Sequence, residues 1–127
     1  MDFTKGIKSL LGHSDITSII STRCYPIKAP SGTSLPFLTY EVTNVIFEHS
    51  KEKAEYKIAD VELVGYSSTY SGAVDLCEAL KTTLARSSYN VGGIVIDKIF
   101  LDTEEIEFFE SPDRYACVLE IKAFLPL

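Results

Sequence analysis

The sequence is poor in cysteine, contains no tryptophan and lacks any long apolar run. Its three cysteines, Cys24, Cys77 and Cys117, are odd in number and widely separated, which argues against a disulfide framework or a CxxC zinc site. A membrane-spanning helix needs about 18 consecutive apolar residues, and the longest runs here are stretches such as residues 116–119. The first residues, MDFTKGIKSLLG, do not join a basic region to an apolar run as a secretory signal does. We therefore expect a soluble protein of a reducing intracellular compartment, with no membrane partner.

Basic residues are in the minority as well. The sequence has 12 Lys and Arg residues against 18 Asp and Glu residues, a net charge of −6. A protein that grips nucleic acid by its phosphates usually presents a basic face, whereas the basic residues here are scattered among acidic ones. Direct binding of nucleic acid is therefore not expected.

The size and composition are those of one globular domain. Apolar residues make up 46% and charged residues 24% of the 127 residues, which excludes a disordered chain. A chain of this length buries about two-thirds of its surface on folding. We expect a single domain that spans residues 1–127.

The first half of the chain alternates between short helices and long strands. Ile7, Leu10 and Leu11 predict a helix that ends at Gly12, and isoleucines at 16, 19 and 20 predict a second short helix. Residues 23–36 are rich in proline and serine and predict a surface loop after a very short strand. Two strands, residues 37–47 and 56–66, flank a polar segment and predict a hairpin with a protruding arm.

The second half begins with the strongest helix signal. Apolar residues recur at helical spacing over residues 71–86, followed by a turn at residues 90–93. Residues 94–101 alternate between two apolar faces and predict a strand buried on both faces or at the centre of a sheet. An acidic stretch, residues 102–110, predicts a solvated hairpin edge before a last strand. The buried face of that strand is predicted at Tyr115, Cys117, Leu119, Ile121 and Ala123. The predicted class is α+β, a mostly antiparallel sheet with one long helix on one face and short N-terminal helices.

No catalytic, cofactor-binding or metal-binding constellation emerges from the residues. His13 lies between two helices and His49 in the polar arm, where a solvent-exposed histidine is the ordinary interpretation. Cys77 and Cys117 fall on core faces and Cys24 is expected to be partly exposed, with no histidine near it to act as a base. The carboxylates of residues 104–110 lack the order of a calcium loop. We therefore expect neither catalysis nor a cofactor or metal.

The segment RCYPIKAPSGTSLPFLTY, residues 23–40, resembles the tail completion (tail terminator) proteins of long-tailed bacteriophages and prophages. In that family a short N-terminal helix precedes an arginine, an aromatic-proline pair, a second proline and a Leu-Pro-aromatic sequence that opens a strand. These positions are filled by Arg23, Tyr25, Pro26, Pro30, Leu35, Pro36 and Phe37. Residues 59–84 are similar to the family's strand, polar turn and helix, and residues 102–125 to its closing pair of strands.

The resemblance implies a virion structural protein, made in the bacterial cytoplasm and placed at the junction of tail and head. Such proteins form a ring, typically of six copies, on the finished end of the tail tube, where they stop its polymerisation. The implied partners are further copies of the chain, the tail tube protein and a head-completion or connector protein, with DNA only passing through the channel. No cofactor is implied.

The candidate contact residues lie in the hairpin arm and in the proline-rich loop. They are Phe47, Glu48, His49, Lys51, Glu52, Lys53, Tyr25, Lys28 and Ser31. We expect the arm to be poorly ordered in an isolated subunit, because its composition offers little apolar burial. Two alternatives stay open: a module that binds a small molecule or peptide between the helix at 71–86 and the sheet, and an enzyme with a metal or carboxylate site.

Overall fold

The structure is a computed structural model of the chain. It describes residues 7–8, 11–49, 54–84, 89–91, 94–96, 98–110 and 113–126. Helices and strands both occur within these ranges, which confirms the predicted α+β class. The helices are α1 (Ser14–Ile20) and α2 (Tyr70–Leu84). The strands are β1 (Cys24–Pro26), β2 (Phe37–His49), β3 (Ala54–Ser67), β4 (Tyr89–Val91), β5 (Ile94–Ile96), β6 (Lys98–Phe109) and β7 (Arg114–Pro126).

Five strands form one sheet in the order β1-β2-β3-β7-β6. β1 runs parallel to β2, and every other neighbouring pair in this sheet is antiparallel, as predicted. β4 and β5 form a separate antiparallel hairpin. The last strand of the chain, β7, therefore lies between β3 and β6, and β6 is an edge strand.

The hairpin of β2 and β3 is longer than the sequence predicted. Pairing runs from Phe37 opposite Tyr66 to His49 opposite Ala54, so both strands extend into the segment expected to be a polar arm. The tip, which holds Lys51, Glu52 and Lys53, lies outside the described residues. The disorder expected of the arm stays a prediction for the isolated subunit.

Alternation along the central strands places apolar side chains on one face of the sheet, here called the covered face. On β3 the buried positions are Ala59, Val61 and Leu63, and on β7 they continue along the predicted alternate positions from residue 117 to residue 123. Helix α2 packs on this face. Its buried side chains are Ala73, Leu76, Cys77, Leu80, Thr83 and Leu84. Burying each leucine contributes about 1.5–3 kcal/mol relative to exposing it, so this layer supplies most of the core.

The N-terminal segment closes one end of the same core. Ile7, Leu11, Ile16 and Ile20 are all buried there, as their helical spacing predicted. The Lys8 ammonium donates a hydrogen bond to the Cys24 carbonyl oxygen at 2.9 Å. Cys24 is itself buried, which corrects the expectation of partial exposure: the β1 pairing with β2 turns its side chain toward the core.

The segment 94–101 does not form one buried strand. Ile96 belongs to the β4–β5 hairpin and Ile99 to β6, and both are buried, but Phe100 and Leu101 are exposed. The prediction was wrong because β6 pairs with β7 on one side alone and reaches the rim of the sheet. The acidic stretch that follows is exposed along β6, as expected of a solvated edge, and its charges oppose edge-to-edge aggregation. None of the described helices is long and apolar enough to cross a membrane.

Candidate functional site

The two histidines lie where the sequence predicted them, His13 before α1 and His49 in the hairpin of β2 and β3. His13 precedes α1, and its carbonyl oxygen accepts hydrogen bonds from the backbone N–H groups of Ile16 and Thr17 at 2.9 and 3.0 Å. His49 lies at the end of β2, and its side chain is outside the described part of the structure. Within the described ranges no three His, Cys, Asp or Glu side chains are grouped as metal ligands would be.

The face of the sheet turned away from α2 is here called the open face, because no described helix packs on it. It presents the alternate residues of β2, β3, β7 and β6, most of which are half-buried or exposed. Those at the centre are Thr39, Glu41, Asp60, Glu62, Val64, Val118, Glu120 and Lys122. A sheet with one apolar and one polar face is typical of antiparallel folds.

Three glutamates cross the middle of the open face side by side. Glu41 on β2 pairs in register with Glu62 on β3, which pairs with Glu120 on β7. Like charges placed directly opposite each other destabilise a sheet. The pKa of Glu62 is raised, first by burial and then by repulsion from Glu120, Glu41 and Glu107. This acidic row (Glu41, Glu62 and Glu120) therefore opposes folding, and its negative potential is a candidate functional property.

An ion pair between Lys122 and Asp60 borders the acidic row. The Lys122 ammonium donates a hydrogen bond to the Asp60 carboxylate at 2.8 Å, between positions that pair directly in register. This hydrogen bond raises the pKa of Lys122. A small cavity of about 150 Å³ lies beside the pair, bordered also by Thr43 and Asp102. The pair offsets one carboxylate and leaves the row itself negative.

A groove lies at one end of the open face, under the loop that joins β1 to β2. Its volume is about 660 Å³. It is lined by Ile27, Lys28, Ala29, Pro30, Gly32, Thr33, Ser34, Leu35, Phe37, Thr39, Tyr66 and Arg114. The loop is held in place because the Arg23 guanidinium donates to the Pro36 carbonyl oxygen at 2.8 Å, and the Ile27 N–H donates to the Tyr40 carbonyl oxygen at 2.9 Å.

The floor of the groove is aromatic and its rim is cationic. The rings of Phe37 and Tyr66 pack with centroids 4.7 Å apart. The Arg114 guanidinium lies 5.7 Å from the Tyr66 ring and 5.1 Å from the Phe109 ring. Lys28 is exposed at the rim. Aromatic and arginine side chains are enriched where proteins bind one another, so the groove is a candidate contact surface.

Ile27 has an unusual backbone conformation at the mouth of this groove. Its φ angle is 61°, in the left-handed region that β-branched residues rarely adopt. Its side chain is nevertheless 69% exposed, so packing within the subunit does not explain an isoleucine at this position. Strained residues of this kind cluster at functional positions.

The predicted contact residues fall at two places. Lys28 lines the groove, Ser31 is exposed in the loop above it, and Tyr25 is half-buried in β1. Phe47 is 57% exposed near the far end of β2, roughly 30 Å from the groove at the rise of a strand. Glu48 and His49 follow it in the strand, with side chains outside the described residues. The structure therefore separates the loop residues from the arm residues, and their role in contacts stays a prediction.

The groove does not lie between α2 and the sheet, where the alternative of a binding module would place its pocket. The space between α2 and the sheet is filled by side chains such as Leu76 and Leu80, which are fully buried, because the apolar stripe of the helix meets the covered face directly. Tyr66 and Arg114 could not be identified from the sequence because strand pairing brings them to the groove. The pairing of β2 with β3 sets Tyr66 opposite Phe37, and the pairing of β3 with β7 brings Arg114 to the same end of the sheet. Their aromatic and cationic character was the one available signal.

The fold matches that of a chain in a solved virion structure. Solved structures provide 28 matching chains. One is a chain of a structure described as the virion of a native gene transfer agent (GTA) particle, with a TM-score of 0.79 and 12% sequence identity. The match covers 98% of this chain and 93% of that chain. No protein-family model and no curated protein matches the sequence.

Proposed function

We propose that the chain is a structural protein of a phage or phage-like virion that forms a ring on the finished end of the tail tube. In this role it ends tube polymerisation and helps to join the tail to the head. The observation that carries the proposal is the fold match to a chain of a gene transfer agent virion over nearly the whole length of both chains. The resemblance of residues 23–40 to tail completion proteins narrows the place within the virion.

The two edges of the sheet support a ring of identical subunits. One edge is formed by β1 and β2 and the other by β6, so the two edges differ in sequence and shape. A contact between two different surfaces of identical subunits is heterologous, and it closes into a ring when the rotation allows. Six copies, the tail tube protein and a head-completion or connector protein are the proposed components of the junction.

The open face has the electrostatic character that the wall of a DNA channel needs. The acidic row gives this face a negative potential, and like charges provide no counterion-release affinity for DNA. In the proposed ring the open face lines the channel, so that DNA passes without binding. The protein then acts without catalysis and without a cofactor, and it resides in the virion.

Electron microscopy of the purified protein tests this proposal. Negative-stain images are recorded of the protein alone and of the protein mixed with tail tubes, and light scattering is measured across a concentration series. Rings alone or rings at tube ends, together with arrest of tube growth, are expected. A protein that stays monomeric at high concentration and leaves tube ends bare contradicts the proposal.

A second candidate function is the binding of a peptide or small molecule in the groove. The aromatic floor, the cationic rim and a volume within the range of ligand sites favour it. A ligand that binds only the folded state raises the unfolding temperature. A thermal shift specific to one ligand class, lost in Tyr66→Ala, supports this function, and its absence favours assembly.

A further inference from the structure

The two edges of the five-stranded sheet carry most of the large apolar side chains that the described residues expose. Seven such side chains are exposed, and five of them lie on these edges. They are Ile46 and Phe47 on β2, and Phe100, Leu101 and Phe108 on β6. Phe108 lies near the far end of β6, whereas the other four form one apolar cluster on each edge. Exposed apolar groups that gather in this way mark interaction surfaces.

The strand register places these two apolar clusters at about the same height on opposite edges of the sheet. Ile46 pairs with Ile58 on β3. Phe124 on β7 pairs with Ile58 on one side and with Lys98 of β6 on the other. The β2 cluster therefore lies level with the first residues of β6, so a copy set beside this one brings apolar side chains against apolar side chains.

Both edges have backbone groups available for pairing in the described part of the chain. β1 pairs with β2 only through Leu38, Thr39 and Tyr40, which leaves the outer side of β2 beyond this point without a strand. Among the described strands, none lies on the outer side of β6 either. Three successive antiparallel pairings make β2 and β6 run in opposite directions, so a neighbour related by rotation about a ring axis presents β6 antiparallel to β2.

The two edges also bend at the same height. β2 has a register shift between Val42 and Asn44, and β6 has one between Leu101 and Thr103. Val42 and Leu101 are level with each other through Val61 and its partner on β7. A bulge bends its strand. On each edge the bulge separates the half that holds the apolar cluster from the second half of that edge.

The second halves of the two edges, those beyond the bulges, carry opposite charge. Beyond its bulge, β6 exposes the carboxylates of Glu105 and Glu107, and also that of Glu104, which forms an ion pair with Lys81 of α2 at 2.8 Å. At the matching height the opposite edge is formed by β1, which is followed by the exposed cation Lys28. The acidic half of β6 and the β1 side are thus complementary in charge.

We propose that the β2 edge of one copy of this chain pairs as an antiparallel strand with the β6 edge of the next copy. Residues 43–47 lie beside residues 98–101 of the neighbour, and Lys28 faces the neighbour's Glu105. The inference rests on the proposed ring. At the height of this pairing each copy contributes β2, β3, β7 and β6. Six copies then give about 24 strands spaced about 4.8 Å apart, a cylinder roughly 37 Å in diameter with the open face inward.

The apolar half is tested by truncation with a matched control. Phe47→Ser removes a side chain that is 57% exposed on the β2 edge, and Tyr70→Ser removes one that is 58% exposed at the start of α2, outside both paired segments. Phe47→Ser is expected to raise the concentration for half-maximal ring formation about tenfold, as loss of an interface anchor does. Tyr70→Ser is expected to leave it unchanged. Circular dichroism confirms that both variants fold.

The contact between Lys28 and Glu105 is tested by reversing the charge of each side chain, singly and together. Lys28→Glu and Glu105→Lys are each expected to weaken ring formation about threefold to tenfold, and the double variant is expected to restore it. Asp75→Lys changes the charge by the same amount as Glu105→Lys on the exposed side of α2 and is expected to have no effect. Equal assembly in all four variants overturns the pairing.

Hydrogen exchange measures the strand pairing itself. The rings, alone or on tail tubes, are compared with the dissociated subunit, and the amides of residues 43–47 and 98–101 are expected to gain protection. Rings that form without this protection, and that are insensitive to Phe47→Ser, overturn the edge pairing and leave the proposed ring function intact. A protein that forms no ring on its own or on tail tubes overturns both.

Discussion

Gly65 on β3 lies directly beneath Leu76 of α2. A Cβ atom at position 65 would stand 2.4 Å from Leu76 Cδ2 and 2.9 Å from Leu76 Cγ. Leu76 is fully buried, so it has no free space into which it can retreat. The glycine therefore sets how closely the helix approaches the sheet.

Gly65→Ala is expected to destabilise the fold by about 1–3 kcal/mol, because overpacking a dense core displaces its neighbours. Urea unfolding followed by circular dichroism measures the change. Combining Gly65→Ala with Leu76→Ala makes room for the added methyl group, so the double variant is expected to be more stable than the sum of the two single losses. Additive losses would show that the helix and the strand are not in contact at this point.

The alternation of buried residues could be predicted from the sequence. The order of the strands in the sheet could not. Leu119 and Ile121 identify the covered face of β7 from their spacing alone. Placing Glu62 beside Glu120 requires the chain to return and insert β7 between β3 and β6, a pairing that no local pattern encodes. The same long-range step brings Arg114 to the groove. Lys28 and Ser31 were found because proline and glycine mark loops locally.

Glu62 is expected to weaken the fold near neutral pH. Its raised pKa means that the folded state holds its proton more tightly than the unfolded state, whose ordinary value is 4.5. Between these two values the folded state binds more protons, so stability falls as the pH rises through this window. Glu62→Gln is expected to raise the free energy of unfolding at pH 7 by about 0.5 kcal/mol, discounted for screening by solvent.

The gain from Glu62→Gln should shrink as the pH falls through this window and be lost below 4.5, where the wild-type carboxyl becomes protonated in both states. Unfolding curves recorded from pH 3.5 to pH 8 give this dependence. Glu110→Gln, in the exposed turn after β6, serves as the control and should show little change. A gain that is constant with pH would mean that repulsion within the acidic row is not its source.

The thiols of Cys77 and Cys117 share a hydrogen bond between α2 and β7, and both side chains are buried. This bond lowers the pKa of Cys77 and raises that of Cys117. Diamide is expected to oxidise this pair of thiols. It accepts the two thiol hydrogens, and a disulfide forms between Cys77 and Cys117. A cross-link over a loop of about 40 residues stabilises a fold by up to roughly 4 kcal/mol.

Non-reducing peptide mapping by mass spectrometry identifies the cross-link, and thermal unfolding measures its effect. Cys24→Ser is expected to retain both the cross-link and the stabilisation, whereas Cys77→Ser is expected to lose both. Three unmodified thiols after diamide treatment of the folded protein would show that the two sulfur atoms do not meet.

The positive φ angle of Ile27 strains the backbone of the β1–β2 loop. Asparagine tolerates a positive φ, whereas a β-branched side chain does not. Ile27→Asn is therefore expected to stabilise the isolated subunit by about 1 kcal/mol, since the lost side chain is mostly exposed and the hydrogen bond from its N–H to Tyr40 is kept. Ile27→Val keeps the branched Cβ and is expected to give no gain. If both variants unfold at the wild-type urea concentration, the backbone at this position is not strained, and the exposed isoleucine loses its interpretation as a residue kept for contact with a partner.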